Sequence, residues 1–131
     1  ARAMSQENVE IIRRVYEFFA RGELPFELSD PAIRIDNIPQ APIPGPYYGH
    51  EGLRCWWGDI EEALPGFRLE LEEIVDLGGD RVLAMVRTFG SDLIEQMPAW
   101  AILHWVRNGL VVRTAGYLRK EEALEAAGLS E

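Results

Sequence analysis

Asp36 is the residue whose type and setting point most directly to chemistry. It ends a short strand-like run, residues 32–36, between two amphipathic segments, the second of which carries Trp56 and Trp57. An apolar pocket raises the pKa of a carboxylate, which makes it a stronger base toward a weakly acidic carbon. We therefore predict that Asp36 is a general base that takes a proton from carbon or activates a water. The alternative is that Asp36 caps a turn or binds backbone amides of the proline-rich segment that follows it.

Arg87 is a second charged candidate. Strict alternation along its strand places it on the same side as Met85 and Phe89, facing the predicted pocket. There it could pair with Asp36 or Glu95, or bind an anionic group of a ligand. The alternative is an edge arginine that extends into solvent.

The histidines and the single cysteine give weaker signals. His104 reaches the cleft only if Pro98 introduces a bulge that shifts the strand register, and His50 is interpreted as a cap or surface residue. Nothing near Cys55 marks it as an activated nucleophile. Two histidines without a shared spacing predict no metal site, and the lack of a glycine-rich phosphate loop predicts no nucleotide cofactor.

Hydrophobic spacing predicts the helices that must position these groups. A capped amphipathic helix is expected over residues 5–20, and a helical turn is expected to follow Pro25. The segment 38–48 holds four prolines and predicts a stiff extended loop beside a cavity. A second helix is expected over 49–64 and a short closing helix over 120–128.

Between these helices the pattern alternates with a period of two, which is typical of strands. Strands are predicted over 67–72, before a turn at 75–80, and at 81–89, 93–106 and 110–118, with a hairpin turn at Asn108-Gly109. Helices first and then an antiparallel meander indicate an α+β fold, a curved sheet wrapped around helices. Alternation places Leu103 and Trp105 on one face of their strand and Trp100, Ile102 and His104 on the other.

The chain of 131 residues is 47% apolar and carries a formal charge of −9. These values predict one domain over residues 4–131, with 1–3 interpreted as a cloning remnant. A strongly acidic surface repels phosphate backbones and anionic lipid, so we expect neither nucleic acid nor a membrane as partner. One cysteine and no apolar run of about 20 residues favour a cytoplasmic protein.

Several local strings resemble the SnoaL-like members of the nuclear transport factor 2-like superfamily, which includes ketosteroid isomerase. They are Ser5 to Glu10 with Arg14 to Glu17, Tyr48 to Arg54, Arg107 to Arg113, and Tyr117-Leu118 with Glu121 to Leu129. The resemblance covers nearly the whole chain. It implies the cone-shaped, cystatin-like fold of that superfamily and no cofactor. It also implies a pocket on the side of Leu103 and Trp105, and a homodimer interface on the face of Trp100, Ile102 and His104.

The resemblance also implies roles for single residues. Asp36 falls where ketosteroid isomerases carry the catalytic base, and Trp56 where they carry an aromatic side chain beside it. Trp57 takes the place of a supporting tyrosine. The two oxyanion donors do not carry over, because their positions are Val15, one residue before Tyr16, and Leu103. Each such donor contributes about 3–4 kcal/mol, so steroid isomerisation is not expected.

The sequence thus predicts a homodimer whose pocket takes one small hydrophobic or aromatic molecule. If it is an enzyme, it is a cofactor-independent isomerase, lyase or cyclase in which Arg87 or Tyr16 steadies the developing charge. The alternatives are a non-catalytic binding or structural module, and an engineered variant of a natural scaffold with an unnatural base-catalysed activity, suggested by the compact segment 91–105. The predicted pocket walls are Tyr16, Phe19, Trp56, Trp57, Met85, Arg87, Phe89, Leu103 and Trp105.

Overall fold

The structure, a computed structural model, describes residues 2–39, 45–90 and 99–128, with side chains from residue 6 onward. The described elements are three α-helices, a 3₁₀ turn at Phe26–Leu28 and six strands. In chain order they are α1 (Arg2–Ala20), β1 (Ser29–Asp36), β2 (Tyr47–Tyr48), α2 (Gly49–Ala63), β3 (Arg68–Asp76), β4 (Arg81–Phe89), β5 (Trp100–Arg107), β6 (Leu110–Tyr117) and α3 (Lys120–Ala126).

The six described strands form one curved sheet in the order β2-β1-β6-β5-β4-β3. Four of the neighbour pairs in this sheet are antiparallel, and β1 lies parallel to β6. The α+β prediction is confirmed, but the sheet is mixed where a purely antiparallel one was expected. A parallel pair requires a long crossover connection, which here runs from β1 through α2 and the meander to β6.

The two faces of the sheet are covered differently. Helices α1 and α2 pack on one face, called here the inner face, where α1 contacts β3 and α2 contacts β1. The short helix α3 packs against β5 and β6 on the opposite, outer face. Each face therefore has its own apolar cluster, and both sets of alternating side chains in the central strands are apolar.

The sidedness of β5 is the reverse of the predicted one. Ile102, His104 and Val106 point to the inner face, whereas Leu103 packs in the outer cluster with Ala123 of α3. Both alternating sets of β5 side chains are apolar. The pattern therefore predicts a strand but not which of the two sets faces the helices. The predicted bulge at Pro98 and the strand over 93–98 lie outside the described residues.

Most element boundaries agree with the sequence prediction. The β5–β6 hairpin turns at Asn108 and Gly109, whose φ angles of 52° and 80° are the pair that a type I′ turn requires. Helix α1 begins at Arg2, three residues before the predicted start. The inner side of α1 buries Ile12, Tyr16 and Phe19, as their helical spacing predicted.

Candidate functional site

A cavity lies between the two long helices and the inner face of the sheet. Its volume is about 30 Å³, which is room for one or two water molecules, whereas an apolar cavity of about 150 Å³ is needed for benzene. Most of the lining is apolar, and the hydroxyl and imidazole groups in it come from α1, β1, β5 and β6. The lining residues are Val15, Tyr16, Phe19, Pro25, Ser29, Ile33, Ile35, Leu53, Trp56, Ile102, His104, Val111 and Thr114.

Three polar side chains in the cavity form a continuous hydrogen-bonded chain. The Tyr16 hydroxyl lies 2.9 Å from Nε2 of His104, and Nδ1 of His104 lies 2.8 Å from Oγ1 of Thr114. His104 is 2% exposed and Tyr16 is 4% exposed. Polar groups in an apolar core are costly unless they are hydrogen-bonded. In this site the three side chains hydrogen-bond to one another.

Burial sets the charge state of this chain. Desolvation raises the pKa of Tyr16 well above its ordinary value of 10, so the phenol keeps its proton. Desolvation lowers the pKa of His104 to about 3, so the imidazole is neutral at physiological pH. A neutral imidazole donates from one nitrogen and accepts at the other. If Nδ1 donates to Thr114, then Nε2 accepts from Tyr16, and the reverse tautomer leaves the Tyr16 proton free to bind a ligand oxygen.

Aromatic rings close the helical side of the cavity. The ring of Phe19 stacks on Trp57 with centroids 5.3 Å apart, and it meets the edges of Tyr16 and Trp56. Nε1 of Trp56 donates a hydrogen bond of 2.8 Å to Oδ1 of Asn37, which fixes the indole plane against β1. The aromatic wall is thus held in place by ring packing and by the hydrogen bond from Trp56 to Asn37.

Four of the predicted wall residues are brought together on this side of the sheet. Tyr16, Phe19 and Trp56 line the cavity, and Trp57 supports it from behind through its stack on Phe19. Tyr16 enters the site although the resemblance had placed the family's donor at Val15. The structure puts both side chains on the cavity wall, but only Tyr16 carries a polar group.

The other predicted wall residues lie on the outer face, which corrects their placement. Met85, Leu103 and Trp105 belong to the apolar cluster beneath α3. By the same alternation along β4, Phe89 lies on this face as well, and the Arg68 guanidinium packs over its ring. Arg87 is also on this face and pairs with Glu72 at 2.6 Å, so it contacts neither Asp36 nor the cavity. Glu95 lies outside the described residues.

Asp36 also lies on the outer face. Ile33 and Ile35 line the cavity, and alternation turns Arg34 and Asp36 the other way. Its carboxylate accepts hydrogen bonds from Nε of Arg34 at 3.1 Å and from Nε of Arg113 at 3.2 Å. The strand therefore does not deliver this carboxylate into the aromatic-lined cleft, because the sequence predicted the wrong face of β1.

His104 and Thr114 are the site residues that sequence reasoning did not place in the pocket. They are direct partners across the β5–β6 hairpin. Counting back from the Asn108-Gly109 turn pairs His104 with Arg113, and the bulge between Trp105 and Val106 shifts the partner to Thr114. The turn alone therefore did not show that His104 and Thr114 share one face.

Two further observations concern metals and membranes. Among residues 2–39, 45–90 and 99–128, no three His, Cys, Asp or Glu side chains are grouped so that they could hold a metal ion. Within the same ranges, none of the helices combines the length and apolarity needed to cross a bilayer.

No family model matches the chain, and no curated protein matches it. Many solved structures resemble it over most of its length, and three are described here. Bal32a, from a soil-derived mobile gene cassette, is 21% identical with a TM-score of 0.73, covering 86% of this chain and 88% of its own.

The second structure is a nuclear transport factor 2-like protein of unknown function from Mesorhizobium loti. It is 25% identical, with a TM-score of 0.64, and the match covers 86% of this chain and 91% of that one. The third, from Jannaschia sp. CCS1, is described as a SnoaL-like polyketide cyclase; it is 18% identical, with a TM-score of 0.66 and coverage of 96% and 94%. The fold expected from the resemblance is confirmed: this chain has the fold of the nuclear transport factor 2-like superfamily.

Proposed function

We propose that the protein is a cofactor-independent proton-transfer enzyme of the isomerase or lyase type. Its substrate would be a small hydrophobic molecule that carries a carbonyl or hydroxyl oxygen. One observation carries this proposal: the hydrogen-bonded chain of Tyr16, His104 and Thr114 lines a mostly apolar cavity. Titratable groups with strongly shifted pKa values that lie in a cavity are candidates for acid and base roles.

In this proposal Tyr16 and His104 divide the work. The Tyr16 hydroxyl turns from His104 to the substrate oxygen and donates a hydrogen bond to it. Nε2 of His104 then takes the proton that the substrate carbon releases, while Nδ1–H remains bonded to Thr114. Burial disfavours the imidazolium. It forms, however, close to the negative charge that develops on the substrate oxygen, to which Tyr16 donates its hydrogen bond. Its proton returns to another carbon in an isomerase, or to a leaving oxygen in a lyase.

A second candidate is a non-catalytic binding or structural module. The observation that favours it is the cavity volume of about 30 Å³, which accommodates water but not an aromatic ring. In that case the Tyr16–His104–Thr114 chain specifies the packing of α1 on the sheet, and ordered water occupies the remaining space. The two candidates differ in whether a ligand displaces the aromatic wall of Phe19 and Trp56.

The test is base-promoted proton abstraction from a benzisoxazole, whose cleavage needs a base at carbon and a donor at the departing oxygen. We would compare the wild type with Tyr16→Phe, His104→Gln and Asp36→Asn. We expect loss of the donor or of the base to lower the rate about 100-fold or more, and Asp36→Asn to leave it unchanged. A rate that collapses in Asp36→Asn alone would restore the original prediction for Asp36. Equal background rates in all four proteins would favour the non-catalytic module.

We further propose that two copies associate through the outer face. Met85, Trp105 and Tyr117 are only partly buried there, around the fully buried Leu103. Apolar and aromatic side chains at a sheet face are typical of interface centres. This proposal is independent of the chemistry in the cavity.

A further inference from the structure

The outer face of β1 and β6 carries two arginines around one carboxylate. Arg34 and Arg113 are direct partners across the parallel β1–β6 ladder, so their side chains emerge next to each other. Asp36, two residues after Arg34, accepts from Nε of both, at 3.1 and 3.2 Å. The three side chains form a hydrogen-bonded network that lies away from the cavity.

This network is not electrically balanced. Like charges placed directly opposite each other in a sheet are destabilising, and one carboxylate offsets only one of the two guanidinium charges. The remaining positive charge is fixed in place on a chain with a formal charge of −9. Arg87 on the same face provides the contrast, because among the described side chains it pairs one to one with Glu72.

The guanidinium groups are also held in fixed orientations. The Arg113 guanidinium lies 4.7 Å above the Trp105 ring, and that of Arg34 lies 5.8 Å from the Tyr48 ring. Both use Nε to bind Asp36, and for the part of the chain that the structure describes, their terminal nitrogens make no hydrogen bond. In the single chain the Arg34 and Arg113 side chains are 44% and 42% exposed, so these nitrogens are open to solvent there.

We propose that Arg34 and Arg113 form a binding site for a small oxyanion, a carboxylate or a phosphate group. Two adjacent guanidinium groups present parallel N–H donors, which match the oxygens of such a group. Asp36 positions the donors by holding each Nε, and the two aromatic rings keep the guanidinium planes from rotating away. The site needs no group from the cavity, so it does not depend on the proposed proton transfer.

The experiment is a titration with inorganic phosphate and separately with acetate, followed through the arginine Nε–H resonances by NMR at constant ionic strength. We expect saturable shifts of the Arg34 and Arg113 signals. We expect Arg113→Gln and Arg34→Gln each to weaken binding about tenfold, because each removes charged hydrogen bonds to the anion. Arg87→Gln is the matched control and should leave the affinity unchanged. Unfolding curves establish that each variant is folded.

The two anions separate the possible sources of the ligand group. Tighter binding of phosphate would identify a phosphate-bearing ligand, and tighter binding of acetate would identify a carboxylic acid. Shifts of the Arg87 signal equal to those of Arg34 and Arg113 would overturn the proposal, because they would reflect general attraction to positive charge. Absence of saturation by either anion in the wild type would overturn it as well.

Discussion

The hydroxyl of Tyr16 and Nε2 of His104 lie 2.9 Å apart in the core, although 88 residues separate them in the chain. This bond connects the first helix to the centre of the sheet. It is one of the two bonds of a polar chain that continues from His104 to Thr114, and each member depends on its neighbours for hydrogen bonds. The stability and the chemistry of the site are therefore linked.

Tyr16→Phe should destabilise the protein without changing its shape. The substitution removes one hydroxyl and leaves Nε2 of His104 buried without this partner, which costs about 1–3 kcal/mol in the free energy of unfolding. Urea unfolding at neutral pH measures it. Tyr48→Phe, at a ring that is 60% exposed, is the control and should change the free energy by less than about 0.5 kcal/mol. A neutral effect of Tyr16→Phe would contradict the buried bond.

His104 should make stability fall in acid. Its pKa is lowered to about 3 in the folded protein, against an ordinary value of 6.5. Below pH 6.5 the unfolded chain binds a proton at His104 that the folded protein does not bind until about pH 3. The free energy of unfolding therefore falls as pH drops through this window, by up to about 1.4 kcal/mol per pH unit.

The measurement for this prediction is urea unfolding between pH 4 and 7. Carboxyl groups also contribute to the pH dependence in this range. The quantity to compare is therefore the difference in free energy of unfolding between the wild type and His104→Gln. The wild type should lose its advantage in free energy of unfolding as the pH falls. The reason is that protonation of His104 in the unfolded chain destabilises the wild type but not the variant. Leu124→Ala, in the outer cluster, removes no titratable group and should keep the wild-type slope. Parallel curves for the wild type and His104→Gln would rule out a buried neutral imidazole.

Leu53→Ala should open the cavity to a ring-sized ligand. Removing this buried side chain costs about 2–5 kcal/mol and enlarges a space of about 30 Å³. Phenol should then bind with its hydroxyl at Tyr16 and recover part of the loss, about 2.7 kcal/mol at 100 times its Kd. Thermal unfolding with and without phenol measures this. Leu124→Ala, in the outer cluster, should show no recovery.

Gly90→Ala and Gly58→Ala should have opposite effects. Gly90 has a φ of 133°, and a Cβ there would lie 2.5 Å from the backbone oxygen of Gly66, so the variant must shift the backbone. We expect a loss above about 3 kcal/mol in unfolding free energy. Gly58 is an exposed helical residue with open space around it, so alanine should add about 0.5–1 kcal/mol. Equal effects in urea unfolding would refute the close approach at Gly90.

Met85→Glu should dissociate the proposed dimer. A charge placed in the centre of the outer apolar patch cannot be buried without a partner, so association weakens. Sedimentation velocity over a range of concentrations measures the oligomeric state. Thr114→Val, on the inner face, is the control and should leave it unchanged. A monomeric wild type would contradict the proposal directly.

The sequence by itself determined the elements of this protein. Helical spacing located α1 and α2, alternation located the strands, and Asn108-Gly109 determined the hairpin between β5 and β6. These features are local, because hydrogen bonds within a few residues and the preference for positive φ decide them. The resemblance of the local strings also predicted the fold family correctly.

Only the tertiary structure decided which side of each strand faces the cavity. Leu103 and His104 alternate in any extended strand, but both alternating sets of β5 are apolar enough to be buried. The choice depends on where α1 and α3 pack, and these helices lie far away in the sequence. A change of one residue exchanges the two faces of a strand. For that reason Asp36 was predicted inside and lies outside, while His104 was assigned to an interface and lies in the cavity.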